Sequence, residues 1–157
     1  MIKLTRKEKA ESLFLEGYNC AQAVAIAFED IHGVNREVLA KLSSSFGGGM
    51  GRLREVCGSV SGMFMVAGLL YGYDEPKAKG EKTEHYTRIQ KLAADFQAEN
   101  GSIVCRELLG LTEKKQDPTP EDRSEEYYKK RPCKELVGMA AEIMDNYIKE
   151  YPINGTI

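Results

Sequence analysis

With 157 residues, of which 42% are apolar and 29% are charged, the chain has the size and composition of a single globular domain over residues 1–157. A net charge of −2 and a pI near 5.8 give no reason to expect nucleic acid or a membrane surface as a partner. We find no apolar run that could span a bilayer and no signal peptide at the N-terminus, so we expect a cytoplasmic protein.

Helix-start and helix-stop signals divide the first third of the chain into three predicted helices. Thr5 is the cap expected for the first and Asn19 for the second, and the third is expected to begin at Asn35. Apolar residues recur at helical spacing within each of them. The predicted ranges are residues 6–16, 20–31 and 35–45.

A glycine-dense loop follows, with three consecutive glycines at residues 47–49 and a fourth at residue 51. Glycine tolerates positive φ and lets a backbone or a ligand approach closely. The next predicted helix runs from Arg54 to Tyr71 and is apolar nearly all round, which is typical of a buried central helix. Gly58 and Gly62 lie on one face of it, where another helix can pack backbone to backbone.

Four further segments complete the helical pattern. An amphipathic helix is predicted over residues 81–100, with His85 on its buried side, and a short helix over residues 105–109. A turn of helix is predicted over residues 125–130 and a last helix over residues 133–151, after the one long loop at residues 112–124. Strand alternation is not convincing anywhere. The sequence therefore predicts an all-α, single-domain bundle of about six helices.

The four cysteines share one property, because each lies at or beside the start of a predicted helix. A helix N-terminus carries unpaired N–H groups and a partial positive charge, which stabilise a thiolate. The thiolate is the reactive form and the metal-binding form of cysteine. Inert burial is the alternative, since cysteine often behaves as a small apolar residue. The four residues are Cys20, Cys57, Cys105 and Cys133.

The order and spread of these cysteines resemble the C_GCAxxG_C_C family, which is named for its cysteine pattern. The central block departs from that name, since Val56 replaces the first glycine, Gly58 replaces the alanine and Gly62 lies one residue beyond the second glycine. The loop at residues 46–49 is similar to the family's glycine run. The matching segments, which cover almost the whole chain, are Tyr18–Val24, Val56–Gly62, Cys105–Gly110 and Pro132–Cys133.

The resemblance implies a small helical protein with redox chemistry. A related domain in split-Soret cytochromes adds the expectation of an iron–sulfur cluster or another thiolate-bound metal for electron transfer. Both kinds of centre accept four thiolates. The expected catalytic groups and metal ligands are Cys20, Cys57, Cys105 and Cys133. The glycines expected to surround the cofactor are Gly47, Gly48, Gly49 and Gly58.

Two alternatives remain open. In metal-free thiol–disulfide exchange one thiol attacks and a neighbour resolves, and Cys57 beside the glycine loop is the expected attacker. In a binding module without turnover, the glycine loop holds an anionic ligand, with Arg52 and Arg54 as counter-charges. A redox partner protein and a homodimer are further expectations, with Tyr127 and Tyr128 as a contact point.

Overall fold

Nine α-helices follow one another along residues 3–153, the part of the chain that the computed structural model describes. The predicted all-α class is confirmed. More than six helices form because the second predicted helix is divided at Ala27–Phe28 and several others are single turns. The helices are α1 (Arg6–Leu15), α2 (Cys20–Ile26), α3 (Glu29–His32), α4 (Arg36–Ser43), α5 (Gly58–Tyr71), α6 (Lys79–Asn100), α7 (Cys105–Leu108), α8 (Glu125–Lys130) and α9 (Cys133–Glu150).

Side-chain caps fix the predicted starts of the N-terminal helices. Thr5 caps α1 and Asn19 caps α2, each within a capping box. Asn35 caps α4 by accepting a hydrogen bond from a backbone N–H of its first turn. These caps satisfy N–H groups that have no partner inside the helix. The Asn19 cap thereby makes Cys20 the first residue of α2.

The centre of the bundle is formed by α2 and the first part of α5. Gly62 permits their close approach, because a Cβ atom at that position would lie 2.7 Å from the Ala21 carbonyl oxygen. This confirms the predicted packing face. Burial does not extend to the far end of α5, where Leu69 is 44% exposed. The fully buried residues of α2 are Ala21, Ala23, Val24, Ala25 and Ile26.

The remaining long helices close the core around this centre. α1 packs against α9, and α6 packs against both α5 and α9. Phe14 of α1, Met144 of α9 and Phe96 of α6 are buried in the shared core. Each such side chain contributes roughly 2 kcal/mol on leaving water. Among the helices of residues 3–153, none is long and apolar enough to cross a membrane.

The helix predicted from Arg54 begins later, at Gly58, and this corrects the predicted boundary. Val56 forms an isolated antiparallel bridge with Val104 instead of entering a helical turn. Arg54 also has a φ of +59°, which a right-handed helix does not permit. Cys57 is consequently the residue that immediately precedes α5.

Candidate functional site: a cavity lined by four thiols

A cavity of about 410 Å³ lies where the starts of α2, α5, α7 and α9 meet the glycine turn at Gly47–Met50. Every residue predicted for the site lines this cavity, and all four thiols in it are free. Their arrangement around one cavity is observed, whereas their chemical roles remain predictions. The residues are Cys20, Cys57, Cys105, Cys133, Gly47, Gly48, Gly49 and Gly58.

The predicted placement of the thiols at helix starts is confirmed. Cys20, Cys105 and Cys133 are the first residues of α2, α7 and α9, and Cys57 caps α5. Their accessibility differs: Cys20 and Cys133 are half-buried, whereas Cys57 and Cys105 are buried. The more accessible pair therefore comes from the two ends of the chain.

Cys133 is the most acidic of the four thiols. Its pKa is lowered to about 7, chiefly because its sulfur accepts a hydrogen bond from the Cys20 thiol. The Tyr127 hydroxyl also donates to it, and the charge of Arg131 adds to the effect, against the opposing influence of burial. Burial raises the pKa of Tyr127, so that its hydroxyl keeps the proton that it donates.

Cys20 has the opposite character. Its pKa is raised well above the ordinary value, first because its thiol donates to the Cys133 sulfur and second because the surrounding protein partly desolvates it. A shared proton between two close sulfurs favours one thiolate and one thiol. Near neutral pH, about half of Cys133 is therefore thiolate, and Cys20 remains a thiol.

The surroundings of Cys57 disfavour its expected role as the attacking thiol. Burial raises the pKa of Cys57 to about 11, and the residue is only 5% exposed. The N–H groups of Ser59 and Val60 at the start of α5 do lower this pKa, as the argument from helix starts predicts. Burial outweighs them, because removing a charged group from water disfavours the thiolate.

Cys57 and Cys105 are held on either side of the short antiparallel bridge. The Cys57 N–H donates to the Ile103 carbonyl at 2.8 Å, and the Cys105 N–H donates to the Glu55 carbonyl at 2.6 Å. Burial raises the pKa of Cys105, although the Arg54 guanidinium, whose Nη1 donates to Cys105 Sγ at 3.5 Å, partly offsets this. Both thiols of this pair therefore stay protonated near neutral pH.

The glycine turn has the left-handed backbone that its composition predicts. Gly48 and Gly49 have φ of +69° and +67°. A Cβ atom at Gly49 would lie 2.6 Å from Cys105 Cβ, so this wall of the cavity admits no side chain there. Met50 and Arg52 also have positive φ, which is unfavourable for residues with a side chain. Such strained backbone tends to gather at functional sites.

Four arginines line the cavity, and they are held in different ways. Arg123 donates to the carbonyls of Phe14 and Tyr18 at 2.9 and 3.0 Å. Arg131 forms an ion pair with Glu121 at 2.5 Å. The other two are Arg52 and Arg54, the arginines of the strained turn.

Sequence reasoning missed Arg123, Arg131 and Tyr127 as cavity residues. The sequence predicts Tyr127 only as a partner contact. The structure places both Tyr127 and Arg131 on the cavity wall near Cys133. A usable signal was their position just before Cys133, at a predicted helix start where nearby cations and donors favour a thiolate.

A thiolate-bound metal or iron–sulfur cluster requires several ligands around one point. Four cysteine thiols have the right donor chemistry for such a centre. Within residues 3–153, however, no three His, Cys, Asp or Glu side chains are grouped so that they could hold a metal ion. The described arrangement therefore does not fit the expected centre, which stays a prediction.

Comparisons with known proteins agree with the cysteine pattern. A search of curated proteins and a search of solved structures each gave no match. A family model described as "Putative redox-active protein (C_GCAxxG_C_C)" matches residues 18–147. The match spans most of the chain and includes all four cysteines, which confirms the resemblance. The chain therefore belongs to the C_GCAxxG_C_C family.

Proposed function

We propose that this protein is a thiol–disulfide oxidoreductase in which Cys133 attacks a substrate disulfide and Cys20 resolves the intermediate. The observation that carries the proposal is the placement of these two thiols, at the starts of α2 and α9, on the wall of one cavity; the lowered pKa of Cys133 beside the raised pKa of Cys20 supports it. An attacking thiol is most effective when its pKa lies near the ambient pH. Membership of a redox-active family supports thiol redox chemistry.

In the first step, the Cys133 thiolate attacks one sulfur of the substrate disulfide. A new S–S bond joins Cys133 to the substrate, the substrate S–S bond breaks, and the leaving thiolate takes a proton from solvent. Cys133 is suited to this role because it is only half-buried and is about half thiolate near pH 7. Thiolate character and access determine the rate of such an attack.

In the second step, Cys20 loses its proton to solvent and attacks the Cys133 sulfur. The Cys20–Cys133 disulfide forms, and the second substrate thiol leaves as a thiolate and is protonated. Two electrons have then passed from the protein dithiol to the substrate. Bonding of Cys133 to the substrate removes the thiolate that accepts the Cys20 hydrogen bond, which is the largest cause of the raised Cys20 pKa. Cys20 therefore becomes a better nucleophile only after the first step.

Trapping the mixed disulfide tests this order. In a Cys20→Ser variant, the serine hydroxyl can still donate to Cys133, but it cannot resolve the intermediate. After reaction with 2-hydroxyethyl disulfide, we expect one mercaptoethanol adduct on Cys133 that persists, identified by peptide mass. A Cys57→Ser variant is the matched control, and it should complete the exchange without a stable adduct. A persistent adduct on Cys57 or Cys105 in the Cys20→Ser protein would overturn the assignment.

The thiolate-bound metal centre is the alternative to be tested, because the four thiols around one cavity are suitable donors even though no three such side chains among residues 3–153 are grouped to hold a metal ion. Metal analysis and visible absorption of anaerobically purified protein separate the two functions. Metal-free, colourless protein with a reactive Cys133 supports exchange. Stoichiometric iron or zinc that protects all four thiols from alkylation would replace the exchange proposal with an electron-transfer or structural centre.

A further inference from the structure

The cavity that contains the four thiols carries an excess of positive charge. Its wall includes four arginines and a single carboxylate, Glu121, which is paired with Arg131. In the part of the chain that the structure describes, the other three arginines make no ion pair with a carboxylate. Arg123 is committed to two backbone carbonyls and to stacking on Phe14 at 4.0 Å. Of the four cavity arginines, this leaves Arg52 and Arg54 as the two whose positive charge could attract a ligand.

Arg54 is the more unusual of these two residues, because its side chain is buried and, among residues 3–153, no carboxylate is hydrogen-bonded to it; the nearby negative charges, the Cys133 thiolate and Glu121, act on it only at a distance. It is 5% exposed, and its Nε donates to the side-chain oxygen of Gln116 at 2.9 Å. Its Nη1 donates to Cys105 Sγ, a thiol that burial keeps protonated. Buried charges are expected to be paired, since an unpaired one has lost its hydration. An anion in the cavity would supply the missing partner.

Arg52 lies on the same wall of the cavity and is also without a carboxylate partner among residues 3–153. Its Nε donates to the Asp117 backbone carbonyl at 2.6 Å, which orients the guanidinium but leaves its charge intact. The loop residue Gln116 in turn donates its N–H to the Arg52 carbonyl at 3.0 Å. Two guanidinium groups are thus held next to the thiols, and guanidinium forks bind carboxylates and similar oxyanions bidentately.

We propose that the substrate is a low-molecular-weight disulfide that carries an acidic group, which Arg54 and Arg52 bind while Cys133 attacks its sulfur. This inference rests on the proposed exchange function. A cavity of about 410 Å³ is of the size that encloses a small molecule. The anion fills the position opposite the buried guanidinium and brings the S–S bond to the thiols. The glycine turn forms the neighbouring wall, where the absence of side chains leaves room for the ligand.

Three small disulfides with the same reacting bond and different charges test the inference. They are dithiodipropionate, a dianion; 2-hydroxyethyl disulfide, which is neutral; and cystamine, a dication. The measured quantity is the second-order rate of Cys133 oxidation at low ionic strength. We expect the dianion to react about tenfold faster than the dication, because a positive cavity concentrates anions, and salt should reduce this ratio.

Substitutions of the cavity arginines test which residue causes the preference for the anionic disulfide. Arg54→Gln should reduce the dianion-to-dication ratio about tenfold, and Arg54→Lys should retain much of it. Arg36→Gln is the matched control, because Arg36 pairs with Glu29 on the surface and the substitution changes the net charge equally. Arg52→Gln provides a second variant should Arg54→Gln fail to fold. A change in the pKa of Cys133 alters the rates with all three disulfides together and leaves their ratio unchanged.

The outcomes separate the two proposals. If the neutral disulfide fails to oxidise Cys133, the exchange function itself is overturned. If the neutral disulfide reacts but the ratio is the same in wild type, Arg54→Gln and Arg52→Gln, the anionic substrate class is overturned and the exchange function stands. If the small disulfides all react slowly while a disulfide in an unfolded protein reacts quickly, the low-molecular-weight substrate is overturned.

Discussion

The thiols of Cys133 and Cys20 lie on the wall of one cavity, although the two residues begin different helices, α9 and α2. The pKa of Cys133 falls to about 7 and that of Cys20 rises as a consequence. Neither helix alone produces this difference, because both cysteines occupy the same first helical position. The proximity of the two thiols lowers the pKa of one and raises that of the other, and the proposed exchange reaction depends on this difference.

The pH dependence of alkylation should distinguish Cys133 from Cys57. A pKa near 7 makes about half of Cys133 thiolate at pH 7, whereas an ordinary thiol is only a few per cent ionised there. The iodoacetamide reaction at Cys133 should therefore rise through pH 7 and level off above pH 8. The reaction at Cys57 should still be rising at pH 10, because its pKa is about 11. Peptide mass spectrometry after timed alkylation measures both profiles, and identical midpoints would contradict the assignment.

The Tyr127 hydroxyl should contribute measurably to the acidity of Cys133. Tyr127→Phe removes a hydrogen bond that stabilises the thiolate, so the pKa of Cys133 should rise. A rise of about one unit lowers the thiolate fraction at pH 7, and with it the alkylation rate, about fivefold. Tyr128→Phe is the control, since that ring packs edge-on against Phe14 at 6.3 Å. Equal effects of the two substitutions would argue against a specific hydrogen bond.

The cavity wall at Gly49 should tolerate no side chain. Gly49→Ala combines an unfavourable positive φ with a Cβ that would lie 2.6 Å from Cys105 Cβ and 2.8 Å from the Arg54 Cα. The strained φ costs about 1 kcal/mol and the overlap about 1–3 kcal/mol more. Gly51→Ala is the matched control, with φ of +61° and its closest neighbour, the Ser45 carbonyl oxygen, 3.9 Å away. Denaturant unfolding should show a clearly larger loss of stability for Gly49→Ala, and equal losses would contradict the described wall.

The contact between α2 and α5 offers a second matched pair of glycines. At Gly62 an alanine Cβ would lie 2.7 Å from the Ala21 carbonyl oxygen, so Gly62→Ala should destabilise the protein by about 1–3 kcal/mol. Gly68, in the same helix, has no atom within 4 Å of such a Cβ. Gly68→Ala should therefore stabilise the protein by up to about 1 kcal/mol through helix propensity. Thermal or urea unfolding measures both changes, and a stabilising Gly62→Ala would contradict the close packing.

Much of the fold is predictable from local signals. The caps at Thr5, Asn19 and Asn35 act within one helical turn, so they can be recognised in the sequence alone. The start of α5 could not be predicted in this way, because the bridge from Val56 to Val104 joins residues far apart in the chain. The two residues meet only when the chain has folded, so no local sequence signal predicts that this bridge replaces the first turn of the helix.

The candidate site is likewise predictable from the sequence only in part. The presence of four cysteines at helix starts follows from sequence, and so does the positive φ of the glycine turn. The choice of Cys133 over Cys57 does not, because it depends on how deeply each thiol is buried and on which donors face it. The placement of Arg131 at the cavity likewise depends on its ion pair with Glu121 in the preceding loop.

Disulfide mapping of the wild-type protein tests the roles of Cys133 and Cys20 most directly. The reduced protein is treated with one equivalent of dithiodipropionate, the remaining thiols are blocked with iodoacetamide, and the peptides are identified by mass. We predict that Cys20 and Cys133 form a disulfide. Cys57 and Cys105 should stay reduced and become alkylated by iodoacetamide once the protein is denatured. A Cys57–Cys105 disulfide that forms first, or a protein in which Cys133 stays reduced, would contradict the proposed exchange reaction.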